Sequence, residues 1–206
     1  MISAPEALER LREGNRRFVV GTRRDAMAAA YAGSPDVQEP FAIILGCSDA
    51  RVPAEIVFDQ GVGDLFVIRV AGNIVAPSQV GSVEFAAERF GTRLVIVLGH
   101  SGCGAVEATV EELTRSGGTS SPNLSSIVDR IRPSVEPLLT TDLAADLPAL
   151  LREAVRANVR VCASHLRHGS VLLERRIAAD ELLVVGAEYS LETGDVDFFE
   201  NVGRAG

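Results

Sequence analysis

Four short runs of valine, isoleucine and leucine constrain the fold of this 206-residue chain more than any other feature. They lie at residues 41–45, 65–70, 94–98 and 182–185, and each is shorter than an ordinary buried helix. Runs that are apolar at nearly every position are typical of strands covered on both faces. Because polar and helix-patterned segments separate them, the sequence predicts an α/β fold with a central, mainly parallel sheet flanked by helices.

Helical spacing of apolar residues predicts the elements that cover this sheet. We expect helices at about residues 80–90, 104–114 and 148–168, the first of them followed by Gly91 as its C-cap. The stretch 116–126 is rich in serine and glycine and is predicted to be a loop.

The N-terminal region is predicted to be a helical arm attached to one domain. Ser3 begins a capping-box sequence, and the apolar residues that follow recur on one helical face. Such an arm could fold back on its own core or lie across a neighbouring subunit. With no linker or internal repeat in the sequence, we expect residues 1–206 to form a single domain, with the arm at 1–35 and an α/β core at 36–206.

The charged residues exclude several classes of function. All twenty basic side chains are arginines, against 28 acidic ones, which gives a formal charge of −8. Chemistry that needs a lysine amine is therefore excluded, and the acidic balance argues against a nucleic-acid partner. No apolar run is long enough to span a membrane and the first thirty residues are rich in charge, so we expect a cytoplasmic protein with no membrane partner.

Two of the predicted strands end in the same way, which points to a metal site. In each, the apolar run is followed by one glycine and then by a side chain that can bind a metal ion, Cys47 after the first run and His100 after the third. The carboxyl ends of neighbouring parallel strands border one crevice, so these side chains share a pocket if the strands are adjacent. Cys103 follows in a glycine-rich turn that lets it reach the same ion. Three cysteines at distant positions do not resemble a disulfide framework.

This Cys, His and Cys set suits zinc, which binds thiolate sulfur and imidazole nitrogen. His165 and His168 lie far along the chain on a predicted helix, so the fourth zinc position would hold water or a carboxylate. Cys162 and His165 have the spacing of a metal pair, but no further ligand is near them in sequence, and we interpret them as ordinary helix residues.

Asp49 and Arg51 follow Cys47 closely and indicate how an open metal position would be protected. A carboxylate this close to zinc would bind the metal unless another group held it away. A bidentate arginine is well suited to that task.

Residues 47–73, together with the turn at 99–104, resemble the β-class carbonic anhydrases. The likeness extends from the N-terminal arm to residues 185–189 and the Gly194 turn, so it covers nearly the whole chain. It implies a mainly parallel sheet of strand order 2-1-3-4 flanked by helices. It also implies a homodimer as the basic unit, with homotetramers, or tetramers of dimers, common.

The resemblance implies zinc-dependent, reversible hydration of CO2 to bicarbonate and a proton, with zinc-bound hydroxide attacking CO2. One Zn2+ per subunit would be bound by Cys47, His100 and Cys103, and Asp49 and Arg51 would form the catalytic dyad. Because two thiolates cancel the formal charge of zinc, we expect the bound water to have a pKa above about 7. The substrate pocket would be built across a dimer interface, from Gln38, Phe66, Phe85 and Gly102.

The resemblance also implies a closed state, in which Asp49 leaves Arg51 and becomes the fourth zinc ligand. Some relatives stabilise that state with bicarbonate bound by a tryptophan, an arginine and a tyrosine. Arg69 and Tyr189 match two members of this possible anion site, but Ile44 occupies the tryptophan position. We therefore expect an open resting site at alkaline pH.

Two other functions are compatible with the sequence. The same fold and metal could hydrolyse a sulfur analogue, such as carbonyl sulfide or carbon disulfide. Alternatively, the protein could be a non-catalytic, zinc-stabilised bicarbonate sensor or scaffold. The Asp49 and Arg51 pair argues against this last function, since a structural site has no open position to protect.

Overall fold

A five-stranded sheet organises residues 2–22, 38–114 and 121–201, which are those described by the computed structural model. The strands in chain order are β1 Ala42–Gly46, β2 Leu65–Arg69, β3 Leu94–His100, β4 Leu183–Tyr189 and β5 Val196–Glu200. Their order across the sheet is β2-β1-β3-β4-β5, and all neighbours are parallel except β4 and β5, which are antiparallel. The predicted mainly parallel α/β sheet with order 2-1-3-4 is confirmed.

The fifth strand, β5, was not predicted as part of the sheet. It is only partly buried along its length, as an edge strand that mixes acidic and aromatic residues. It therefore lacks the continuous apolar run that identifies the buried strands β1 and β3. β4 also extends beyond its predicted end at residue 185, because Gly186 and Glu188 interrupt its apolar pattern without ending the strand.

Helices cover both faces of the sheet. Their bounds are α1 Ala4–Val19, α2 Ala54–Val57, α3 Pro77–Arg89, α4 Gly104–Thr114, α5 Pro122–Val135, α6 Leu147–His168 and α7 Val171–Ala178, with short 3-10 turns at Ala71–Asn73, Leu138–Thr140 and Asp142–Ala145. The three predicted helices correspond to α3, α4 and α6, and Gly91 has the positive φ of a helix-ending glycine. Among the described residues, no helix combines the length and apolar character needed to cross a bilayer.

The predicted loop at 116–126 is wrong over its last five residues. Residues 122–126 form the first turns of α5, while 115–120 lie outside the described residues. The side chain of Ser121 accepts a hydrogen bond from the backbone N–H of Leu124, and Pro122 occupies the first helical position. A serine followed by a proline is a helix start here, because neither residue needs an intrahelical N–H bond at that position.

The N-terminal arm is helical over α1 and packs on its own core, and the rest of the predicted arm, residues 23–35, lies outside the described residues. Ser3 caps the helix, as the sequence predicts, and Leu8 and Leu11 are buried. The buried Asn15 side chain ties α1 to the chain around it by donating to two backbone carbonyls and accepting from the N–H of Val196. Within this chain, α1 therefore belongs to the core.

The other face of the sheet is covered partly by α6, which approaches the strands closely at two glycines. A Cβ atom added to Gly99 would lie 2.6 Å from Val159, and one added to Gly186 would lie 2.8 Å from the same side chain. Both distances are shorter than ordinary van der Waals contact, so only glycine leaves room for Val159. This close packing brings the middle of α6 next to the end of β3, where His100 lies.

Candidate metal centre

The three predicted metal ligands come together at the carboxyl ends of β1 and β3. Cys47 directly follows β1, His100 is the last residue of β3, and Cys103 directly precedes α4. Because β1 and β3 are adjacent and parallel, their ends meet at one edge of the sheet. The ligand atoms of the three residues lie within 4.8 Å of one another, and all three residues are buried.

The histidine has the form that a metal ligand requires. Its Nδ1 lies 3.0 Å from the carbonyl oxygen of Ser101, which can only accept a hydrogen bond, so Nδ1 carries the proton. The lone pair is then on Nε2, which is buried and has no hydrogen-bond partner among the described residues. An unpartnered nitrogen beside two sulfur atoms fits a zinc ion in both the number and the type of donors.

The two thiols share their charge unequally. A hydrogen bond from Cys103, supported by His100 and by the backbone N–H of Gly72, lowers the pKa of Cys47 despite its burial. The same pairing, together with burial, raises the pKa of Cys103. Burial opposes the charged form of His100, but the Cys47 sulfur, the Ser101 carbonyl and the Asp49 carboxylate together more than offset this effect and raise its pKa. The pairing therefore favours ionisation of one thiol of the pair, and a buried negative charge of this kind favours a bound cation.

Asp49 and Arg51 form the bidentate pair that the sequence predicts. The Arg51 side chain donates from Nε to Oδ1 of Asp49 at 2.9 Å and from Nη2 to Oδ2 at 2.7 Å, and its backbone N–H adds a third bond at 2.9 Å. These bonds hold the pKa of Asp49 well below its usual range. Oδ2 of Asp49 lies 3.9 Å from Nε2 of His100, so the carboxylate is beside the three donor atoms while Arg51 holds it.

Gly102, which was assigned to the substrate pocket, lies beside this pair. Its carbonyl accepts a hydrogen bond of 3.3 Å from Nη2 of Arg51, and its φ of 62° is one that glycine adopts without strain. A cavity of about 870 Å³ is lined by Gly102 and Cys103, and by acidic and arginine side chains from α6 and β4. The group formed by Cys47, His100 and Cys103, called the metal group below, therefore has a cavity with charged residues in its wall next to it.

Arg69, one of the two residues assigned to a possible anion site, contacts the backbone that carries the metal group. Its Nε donates to the carbonyl of Cys47 at 3.0 Å, and its Nη2 donates to the carbonyl of Asp49. Tyr189 is buried at the end of β4, near the ring of Phe18. The strands that carry Arg69 and Tyr189 are three strand spacings apart, roughly 14 Å.

The other pocket residues lie away from the metal group within one chain. Gln38 precedes β1 and lines a cavity of about 470 Å³ with Phe41 and Arg89 at the amino end of that strand. A strand of five residues, roughly 16 Å long, separates this cavity from Cys47. Phe66 and Phe85 lie 6.2 Å apart between ring centroids, in a cluster with a third phenylalanine.

Two residues linked to Cys47, one directly and one through the other, have no role predicted from the sequence. The backbone N–H of Gly72 donates to Sγ of Cys47 at 3.3 Å, and the side chain of Asn158 donates to the carbonyl of Gly72 at 2.8 Å. The available signal was a polar residue within the apolar stripe of α6, where Asn158 is buried beside Val159. Nothing in the sequence shows which part of the sheet that stripe meets.

Comparison with known proteins agrees with this site. A family model described as carbonic anhydrase matches residues 42–196, which include all three candidate ligands. Carbonic anhydrase 2 of Mycobacterium tuberculosis is 35% identical over 204 residues, which cover 97% of this chain and 95% of that protein.

Solved structures give the same result. The structure of the β-carbonic anhydrase CcaA is similar with a TM-score of 0.69 and 26% identity, covering 97% of this chain and 94% of that one. A tetrameric β-carbonic anhydrase from Sordaria macrospora shares the fold with a TM-score of 0.69 at 23% identity, covering 84% of each chain. The chain belongs to the β class of the carbonic anhydrase family and, as a member of it, is a carbonate dehydratase.

Proposed function

We propose that this protein catalyses the zinc-dependent, reversible hydration of CO2 to bicarbonate and a proton, with one zinc ion per subunit held by Cys47, His100 and Cys103. Support comes above all from one feature, the buried group of two thiols and an unpartnered imidazole nitrogen beside a carboxylate that arginine holds. When bound, zinc supplies a Lewis acid that makes water a good nucleophile near neutral pH.

Asp49 is proposed to orient the attacking water. The paired guanidinium of Arg51 lowers the pKa of Asp49, so at neutral pH the carboxylate is ionised and can only accept hydrogen bonds. By accepting the hydrogen that the nucleophile retains, it would turn the oxygen lone pair toward the carbon of CO2. Arg51, in turn, fixes both carboxylate oxygens and so sets their direction.

The same pair supports an open resting site. As long as Arg51 holds both oxygens of Asp49, the carboxylate is not free to become a fourth ligand. Arg69 donates to the carbonyls of Cys47 and Asp49 on either side of this turn. An anion bound at Arg69 would compete for these donors, and it would loosen the backbone at residues 47–51 that carries Asp49 and Arg51.

We propose that the CO2 pocket is completed by a second copy of the chain, which would supply Gln38, Phe66 and Phe85. Within one chain Gln38 lies at the opposite end of β1 from Cys47, and Phe85 is 54% exposed despite its aromatic neighbours. The Sordaria macrospora relative is described as tetrameric, which supports a homodimer or a tetramer of dimers here.

The remaining features of the proposal concern the chain as a whole. Residues 36–206 would act as one α/β domain with the helical arm at 1–35. The cytoplasm is the proposed location, because a reducing compartment keeps the two thiols of the site unoxidised.

The test is stopped-flow CO2 hydration between about pH 6.5 and 9, with the zinc content of each sample measured in parallel. The Asp49→Ala variant should lose about 100-fold or more in kcat while keeping about one zinc per chain. Asp129→Ala is the matched control, because Asp129 is an exposed aspartate that also pairs with an arginine, Arg132, but lies on α5. Its rate should equal that of the wild type.

Each other outcome has a defined meaning. A zinc-loaded wild type that is inactive over the whole pH range would contradict the proposed function. Activity on carbonyl sulfide without activity on CO2 would identify a hydrolase of the sulfur analogue instead. An Asp49→Ala variant with the wild-type rate would remove the orienting role of Asp49.

A further inference from the structure

A buried amide on α6 is connected to the metal group through one glycine. Asn158 is 1% exposed and lies on the helix face that packs against the sheet. Its Nδ2 donates to the carbonyl of Gly72 at 2.8 Å, and its Oδ1 lies 3.8 Å from Sγ of Cys162. Burying an amide is favourable only when its hydrogen bonds are made, so this orientation of Asn158 is well defined.

Gly72 carries the connection from Asn158 to Cys47. Its φ of 67° and ψ of 19° are left-handed values, and a Cβ atom at this position would lie 2.7 Å from Cδ1 of Ile131. Glycine is therefore required, but a glycine backbone is also the least restricted in its rotation. The hydrogen bond from Asn158 anchors the Gly72 carbonyl, and this limits rotation of the residue whose N–H points at Sγ of Cys47.

We propose that Asn158 is a positioning residue for Cys47, acting through Gly72. The inference rests on the proposed function, in which Cys47 is a zinc ligand. An N–H donor withdraws electron density from a ligating sulfur and fixes its direction. The Gly72 N–H contacts the ligand itself, and loss of a partner at this position typically changes metal affinity by about 10–100-fold; Asn158 acts on that N–H through the Gly72 carbonyl.

The experiment compares Asn158→Leu with Cys162→Ala in the full-length, zinc-loaded protein. Leucine has a similar size but no donor, so the Gly72 carbonyl loses its anchor. Cys162→Ala is the matched control, because Cys162 is buried on the same helix and contacts the other end of the same amide. Both variants disturb the packing of α6, but only the first breaks the connection to Cys47.

Zinc release to a chromogenic chelator is measured at equal protein concentration, together with the melting temperature. Asn158→Leu should release zinc at least about tenfold faster than the wild type, whereas Cys162→Ala should release it at the wild-type rate. In the cobalt-substituted proteins, the sulfur-to-cobalt charge-transfer band should move to lower energy in Asn158→Leu only, because its thiolate has lost a well-directed donor. The smaller variant Asn158→Val serves the same purpose if Asn158→Leu does not fold.

Two results would overturn the inference. One is wild-type zinc release and an unshifted cobalt band in the Asn158 variant. The other is faster release in both variants in proportion to their loss of melting temperature, which would indicate a purely structural role. If the wild type does not bind zinc stoichiometrically, the proposed function is overturned as well. If the wild type holds one zinc per chain and either of the two results above is found, only the inference about Asn158 fails.

Discussion

The contact between Gly99 and Val159 links the packing of α6 to the position of His100, and it can be tested by mutation. Gly99 directly precedes His100 in β3. A Cβ atom at Gly99 would lie 2.6 Å from Cγ2 of Val159, well inside normal contact, and 3.4 Å from Cγ1 of Val155. In the Gly99→Ala variant, therefore, either α6 moves outward or the end of β3 moves with the candidate ligand His100.

The expected energies follow from this geometry. Overpacking by one methyl group costs about 1–3 kcal/mol, and Val159→Ala, which removes two buried methyl carbons, costs a similar amount. In the double variant the new methyl group occupies part of the space that Val159 vacated. We therefore expect the double variant to be more stable than the sum of the single effects predicts, by about 1 kcal/mol or more.

The assay is thermal unfolding of the wild type, the two single variants and the double variant. All four are measured at one protein concentration and saturating zinc, because oligomerisation and metal binding both affect the melting temperature. For a chain of this size, 1 kcal/mol corresponds to about 2–4 °C. Zinc release should be faster in Gly99→Ala than in the wild type, and in the double variant its rate should return toward that of the wild type. Stability effects that add within about 0.5 kcal/mol would refute the proposed contact, as would zinc release that is unchanged in Gly99→Ala.

Two further predictions concern groups outside the metal centre. Asn15→Ala should lower the free energy of unfolding by about 3 kcal/mol, or about 6–12 °C in melting temperature, because three backbone groups lose their hydrogen-bond partner. The control variant Asn123→Ala, at an exposed asparagine, should have little effect, and equal melting temperatures for the two variants would contradict the prediction. Burial raises the pKa of the Cys162 thiol from 9.0 to about 12. The thiol therefore ionises at a lower pH in the unfolded chain than in the folded one, and the wild type should lose stability as the pH rises above about 9. Cys162→Ala lacks this loss, so from pH 8 to pH 10.5 its melting temperature should improve relative to the wild type, and a constant difference would contradict the pKa shift.

The parallel part of the fold could be predicted from the sequence because its signals are local. β1 and β3 are buried on every residue, so each is a continuous apolar run. The candidate metal centre could be predicted from the same runs, because the ends of adjacent parallel strands meet at one edge of the sheet wherever the helices pack. Only the adjacency of β1 and β3 had to be assumed, and the structure confirms it.

Features that depend on distant packing could not be predicted in this way. Asn158 and Gly72 are 86 residues apart, and their hydrogen bond depends on where α6 packs on the sheet, which includes the fit of Val159 over Gly99. The role of Arg69 also depends on strand register, since β2 must pair with β1 for its side chain to reach the carbonyl of Cys47. Composition and spacing contain neither kind of information.

The most direct test of the account is X-ray absorption at the zinc edge of the active, purified protein at alkaline pH. Ligation by Cys47, His100 and Cys103 predicts two sulfur atoms at about 2.3 Å and one imidazole nitrogen at about 2.0 Å from each zinc. Cys103→Ala should reduce the sulfur count to one, whereas Cys162→Ala should leave it at two. A zinc site without sulfur, or one in which Cys103→Ala leaves two sulfur ligands, would contradict the assignment of the metal centre.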